Sequence, residues 1–224
     1  DFYNYGISAT QAAVWLFLLE KEISKNKKSD IIINVDLSGM SSAIGDIGNY
    51  IPNYPVTKGL MGEQEKFYYR VPFVKYFGKF DSYIKFFLNQ RINLTKVTDR
   101  GGSFIKIITP PHEFKEMVFR RKASPGNFIV EPLLIEKLHK LISATDRNFY
   151  FVVSPYHESY LSSLRNVDEI EIFLNKLSDK ENVIVLDFRR AVISDTLFYN
   201  TSHLNFEGAK AFSQELKIAL ELNR

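Results

Sequence analysis

An α/β domain with a doubly wound, mostly parallel sheet is expected for this chain. Short apolar runs rich in β-branched and aromatic residues recur along it, and a helical pattern precedes each of them. The runs are Ile31-Ile32-Ile33, Phe149-Tyr150-Phe151-Val152-Val153 and Val183-Ile184-Val185-Leu186, each bounded by polar or turn residues. Runs without polar alternation belong to strands buried on both faces, as in parallel sheets. The helical patterns cover 9–25, Pro132 to Ser143 and Asp168 to Leu177, the second with Leu133, Leu134, Leu138 and Leu141 on one stripe. A last amphipathic helix is expected from Phe206 to Leu222, with Ala209, Phe212, Leu216, Ala219 and Leu220 facing inward and Asn205 as its N-cap.

At 224 residues, 45% hydrophobic and 25% charged, the chain fits one domain, 1–224, because a single core keeps growing up to about 250–300 residues. The segment 40–127 breaks the strand–helix rhythm. It is rich in Gly, Tyr, Phe and Pro, with one helical piece near Phe80 to Leu88, and is expected to be an insertion forming a lid or substrate wall. Twenty-nine Lys and Arg against 26 Asp and Glu leave a formal charge of +3, too small an excess to imply nucleic acid as a partner. With no cysteine there is no disulfide, thiolate nucleophile or Cys-ligated metal. Phosphate-cradling glycine loops, a dinucleotide fingerprint and His-Glu-x-x-His are all missing from the sequence, so no nucleotide cofactor or metal is expected. The longest apolar run, Ala12 to Leu19, is shorter than the roughly 18 residues of a membrane span, and no signal peptide is visible. The first residue is Asp1 rather than Met, so the sequence is allowed for as a fragment or processed form.

The densest chemical signal is Asn200-Thr201-Ser202-His203-Leu204-Asn205-Phe206-Glu207-Gly208-Ala209. It places a histidine after the last expected strand and just before a capped helix. That position lies at the carboxyl ends of the strands, where open α/β sheets bind ligands, and imidazole is the natural general base there near neutral pH. The plainer alternative is a helix-entry histidine bonded only to its neighbours.

This block, His203-Leu204-Asn205-x-x-Gly208-Ala209 followed by a helix, resembles the last block of the SGNH (GDSL-like) hydrolases. That family has a flavodoxin-like α/β fold and includes bacterial enzymes that add or remove acyl groups on envelope glycans. The resemblance implies that His203 is the catalytic base. The family places Asp three residues earlier; here Asn200 stands in that place, able to orient the imidazole but not to stabilise imidazolium by charge. Asp195 or Asp187 could supply the missing carboxylate.

The N-terminal residues fit the family in two ways. In one, Tyr5-Gly6-Ile7-Ser8 is the nucleophile block and Ser8 attacks the acyl carbonyl, with Ile7 where the family has Asp. In the other, Asn4-x-Gly6-x-Ser8-Ala9 is the family's second block, Leu37-Ser38-Gly39-Met40 falls at the third, and the nucleophile lies upstream of residue 1. The half-polar Phe2-Tyr3-Asn4-Tyr5 favours the second. Under it Met40 takes the place of the oxyanion-hole Asn, leaving backbone N–H groups near Gly6 and Gly39 to hold an oxyanion. Under either, Ser8 is equally well placed as the N-cap of the following helix.

Lys115, Arg120, Arg121 and Lys122 could hold an acidic ligand, or simply form a solvated face. His157, just past the end of an expected strand, could line the substrate cleft. Aromatic residues of the insertion, such as Phe67, Tyr68 and Tyr76, could stack on sugar rings. What the resemblance implies as a whole is a serine esterase or O-acyltransferase acting on acetyl groups of a bacterial surface polysaccharide. It would need no cofactor, insert in no membrane, and work in the bacterial cytoplasm or envelope, with envelope-assembly proteins as partners. The alternative, suggested by Asn200, Ile7 and Met40, is a glycan-binding or scaffold domain that kept the fold and lost the chemistry.

Overall fold

The computed structural model describes residues 12–25, 28–37, 108–191 and 194–223, all within one compact unit, Gln11–Ala43 with Phe104–Arg224. Of the expected insertion, 40–107 lies outside the described residues, and 108–127 belongs to this unit.

The architecture is mixed α/β. Three parallel strands, β1 (Ile31–Asn34), β2 (Phe149–Val153) and β3 (Val183–Asp187), lie in the order β1-β2-β3, with Ile31 opposite Phe149 and Phe149 opposite Val183. Among the described residues there are six α-helices: α1 (Ala12–Ile23), α2 (Pro111–Ala123), α3 (Pro132–Ser143), α4 (Glu158–Leu161), α5 (Val167–Ser178) and α6 (Phe206–Leu222). A short 3-10 turn, Asp195–Leu197, leads into a two-stranded antiparallel ribbon of β4 (Phe198–Asn200) and β5 (His203–Leu204).

All five residues of β2 are buried, and its alternation divides two cores. Phe149, Phe151 and Val153 join Leu16 of α1, Leu138 and Ile142 of α3, and Phe173 and Leu177 of α5. Tyr150 and Val152 join Leu186 and Leu220, with Phe212 and Leu216 of α6 packed against them. Successive side chains of a strand point to opposite faces, so an uninterrupted apolar run is what a strand covered on both sides requires. Burying each of these side chains contributes about 1.5–3 kcal/mol.

The helix ends follow the residues that make them. Pro132 occupies the first turn of α3, where a missing N–H costs nothing, and Asp168 and Glu169 sit at the positive end of α5. Asn205 caps α6, its Oδ1 accepting the Gly208 N–H at 3.0 Å. In α3 the buried stripe is Leu134, Leu138 and Ile142, four residues apart. Leu133, expected on that stripe, is 76% exposed, because it lies about 100° around the helix from Leu134. Helix α2 falls inside the 40–127 segment, where the only helical piece expected is near Phe80 to Leu88. Pro111 is in its first turn, and Phe114 is its one buried residue, so apolar periodicity carried no signal for it.

Arg147 ties the start of the sheet together. Buried just before β2, it donates from Nε to the Ser29 carbonyl at 2.6 Å, from Nη2 to Ser29 Oγ at 3.0 Å and from Nη1 to the Glu22 carbonyl at 3.3 Å. One guanidinium thereby joins the end of α1 to the approach to β1.

Candidate functional site

At the carboxyl ends of β1 and β2 the chain opens a cleft of about 290 Å³, walled by Asn34, Asp36, Ser154, Tyr156, His203 and Phe212. Its floor extends the sheet by side-chain bonds. Ser154 Oγ donates to Asn34 Oδ1 at 2.6 Å, and Tyr156 Oη donates to Asp36 Oδ1 at 3.0 Å while accepting the Leu37 N–H at 3.0 Å. Burial and the neighbouring Asp36 carboxylate push the Tyr156 phenol well above its ordinary range, so it remains a donor at any physiological pH. Burial also raises Tyr160, whose ring stacks on Tyr156 with centroids 4.8 Å apart.

His203 stands at the mouth of the cleft on β5, opposite Asn200 of β4. Its Nδ1 lies 3.0 Å from Asn200 Oδ1 and 3.0 Å from Ser202 Oγ. Asn200 Oδ1 also accepts the Ser202 backbone N–H at 2.9 Å. A backbone N–H can only donate, so the amide oxygen, not the nitrogen, faces this turn. It follows that the neutral ring donates from Nδ1 to Asn200 and keeps a lone pair on Nε2, the form a general base needs. Asn200, expected to orient the imidazole, lies within hydrogen-bond distance of it and is a neutral amide. Of the alternative carboxylates, Asp195 bonds His157 and Asp187 bonds Arg189.

The ribbon that carries this pair is fixed to the rest of the chain by main-chain contacts. Asn205 N–H donates to the Leu197 carbonyl at 2.9 Å, and Asn205 Nδ2 donates to the Thr196 carbonyl at 2.7 Å. Thr109 Oγ1 donates to the Tyr199 carbonyl at 2.5 Å. Gly208 lies so close to the Leu197 carbonyl that a Cβ there would overlap its oxygen.

His157 is placed differently from a cleft-lining residue. It caps α4 and is held between the rings of Phe114 and Phe198. Arg120 pairs with Glu116 at 2.6 Å, and the Arg121 guanidinium lies 4.1 Å from the Tyr160 ring centroid and donates to Ser163 Oγ at 2.8 Å. These two arginines therefore serve α2 and its packing on α4, with Lys115 and Lys122 exposed beside them. Gly6, Ser8 and Gly39, together with Ile7 and Met40, lie outside the described residues. Among the described residues no group of three or more His, Asp or Glu could hold a metal ion, and no helix is long and apolar enough to cross a membrane.

Sequence reasoning passed over Asn34, Asp36 and Ser154, which wall the cleft. Each lies at or just past the carboxyl end of an expected strand, the signal by which a search of strand ends finds them. No protein-family model, curated protein or solved structure matches the chain significantly.

Proposed function

We propose that the chain is an SGNH-like, doubly wound α/β domain that hydrolyses or transfers an ester-linked acyl group, with a glycan-borne acetyl ester as substrate. The observation that carries this is the Asn200–His203 pair at the cleft, in which Nδ1 faces the amide oxygen and Nε2 has no hydrogen-bond partner among the described residues. In the proposed reaction a serine hydroxyl passes its proton to His203 Nε2 as its oxygen adds to the acyl carbonyl. Backbone N–H groups near Gly6 and Gly39 hold the oxyanion. The tetrahedral adduct collapses, the C–O bond to the sugar breaks, and the leaving oxygen takes the proton from Nε2. Water in a hydrolase, or an acceptor hydroxyl in a transferase, then takes up the acyl group by the same proton route. Ser8 is the nucleophile in one alignment of the N-terminal residues, and an upstream serine in the other. The reaction belongs to the bacterial cytoplasm or envelope, with envelope-assembly proteins as partners.

The test is hydrolysis of an aryl acetate by the native chain beside His203→Ala and Ser8→Ala. Loss of a general base or nucleophile lowers the rate by about 10²-fold or more. A drop in both variants supports the complete Ser8–His203 site; a drop in His203→Ala alone puts the nucleophile elsewhere. A folded but inactive chain counts against the complete enzyme. It leaves the alignment with an upstream serine, or the second reading, a glycan-binding domain without chemistry, for which the uncharged Asn200 speaks; assay of a chain extended upstream separates the two.

A further inference from the structure

Three parts of the molecule converge on one side chain that the proposed chemistry does not use. His157 Nδ1 accepts the Ser159 backbone N–H at 3.1 Å, and Ser159 Oγ lies 2.7 Å from the same nitrogen. Because that backbone group can only donate, the neutral ring carries its proton on Nε2, which donates to Asp195 Oδ1 at 3.1 Å. The His157 backbone N–H donates to the Thr201 carbonyl at 3.1 Å. Its ring meets Phe114 of α2 and Phe198 of β4 edge-on, with centroids 5.2 and 5.5 Å away. The side chain is 15% exposed. Asp195, His157 and Ser159 form a chain of the kind found in nucleophilic sites, but Ser159 is buried in the first turn of α4, the turn that His157 caps, so its hydroxyl is closed to a substrate.

What this chain holds is the strap 194–205. Asp195 lies at its start and Thr201 between Asn200 and Ser202, inside the turn that joins Asn200 to His203. A shift of Thr201 moves both members of that pair. We propose that His157 is the positioning residue of the site, keeping the strap, through Asp195 and Thr201, in the geometry that holds the His203 proton on Nδ1. The inference rests on His203 as the base, and its test is separate from any activity.

The measurement is the ring-nitrogen ¹H–¹⁵N correlation spectrum of the ¹⁵N-labelled full chain, at a pH where its histidines are neutral. In the native chain His203 is expected in the Nδ1–H form. His157→Phe retains a ring between Phe114 and Phe198 and removes the bonds to Asp195 and Ser159; His203 then moves to the Nε2–H form favoured by unconstrained histidine. Asp195→Ala alters a side chain that is 73% exposed and decides the matter if His157→Phe does not fold. It moves His203 the same way, whereas Asp195→Asn, which keeps an acceptor, retains the Nδ1–H form. Persistence of that form in both His157→Phe and Asp195→Ala overturns the proposal, whatever happens to the melting temperature, and leaves His157 as a helix cap. An Nε2–H signal from His203 in the native chain instead overturns the base itself, before any substitution is made.

Discussion

Asn200 sets the ring of His203 without lending it charge, and the two contributions can be separated by substitution. An aspartate at 200 still accepts from Nδ1–H and from the Ser202 N–H, and adds a negative charge beside the imidazolium that forms during proton transfer. Asn200→Asp is therefore expected to raise kcat for aryl acetate hydrolysis by about tenfold, and Asn200→Ala to lower it by a similar factor; steady-state rates on the three proteins check both. Tyr156 makes a different prediction. Its phenol is held protonated by burial and by Asp36, so its folded pKa lies above the unfolded value of 10.0. Between those values the unfolded chain has released the proton and the folded chain has not, so stability falls as pH rises above about 10. Its contribution is complete below that pH. Urea unfolding at pH 8.5 and 10.5 is expected to show a smaller loss in Tyr156→Phe than in the native chain, with Tyr160 contributing in the same direction. At pH 8.5 the substitution itself costs about 1–3 kcal/mol, because the Leu37 N–H loses its acceptor.

The approach of α6 to the 3-10 turn decides where the strap sits. Gly208→Ala puts a methyl group into the Leu197 carbonyl, and neither partner is a side chain that can rotate away. It is expected to cost about 1–3 kcal/mol, read as a lower urea midpoint, and to disturb His203 together with the turn. The sequence made α6 legible to the residue, because Asn205, Gly208 and the Phe212–Leu216–Leu220 stripe all state the same helix. The three strands were legible from their apolar runs, but burial on both faces, expected of each, holds fully for β2 alone: Ile32 of β1 is 37% exposed, because β1 lies at the edge of the order β1-β2-β3 and its second face is uncovered among the described residues. Helix α2 was not legible, since its single buried residue, Phe114, leaves no stripe. Of the site, His203 and its partner Asn200 could be read from a local motif. The strand ends mark where the floor residues lie, but not whom they meet: Asn34 reaches Ser154 and Asp36 reaches Tyr156 only after segments 120 residues apart have paired. His157 lay within reach of the strand-end argument, yet its partners Asp195 and Thr201 arrive from the far side of β3.

The sheet as a whole is assembled from distant pieces. β1 and β2 pair although more than a hundred residues separate Ile31 from Phe149, and β2 then pairs with β3 from a nearer stretch. Long-range parallel pairing slows folding, so refolding is expected on the scale of milliseconds to seconds or longer, measured by stopped-flow fluorescence of Trp15, which packs against the larger core. Leu138→Ala, in that core and wholly buried, is expected to cost about 2–5 kcal/mol in urea unfolding. Beyond the last backbone rungs, β1 and β2 go on holding each other through Ser154 with Asn34 and Tyr156 with Asp36. A molecule entering the cleft would therefore meet a floor whose polar groups are already paired with one another. Little of its binding energy is spent on quieting the protein, so recognition there discriminates by outline and polarity and gains little from yielding to fit its guest.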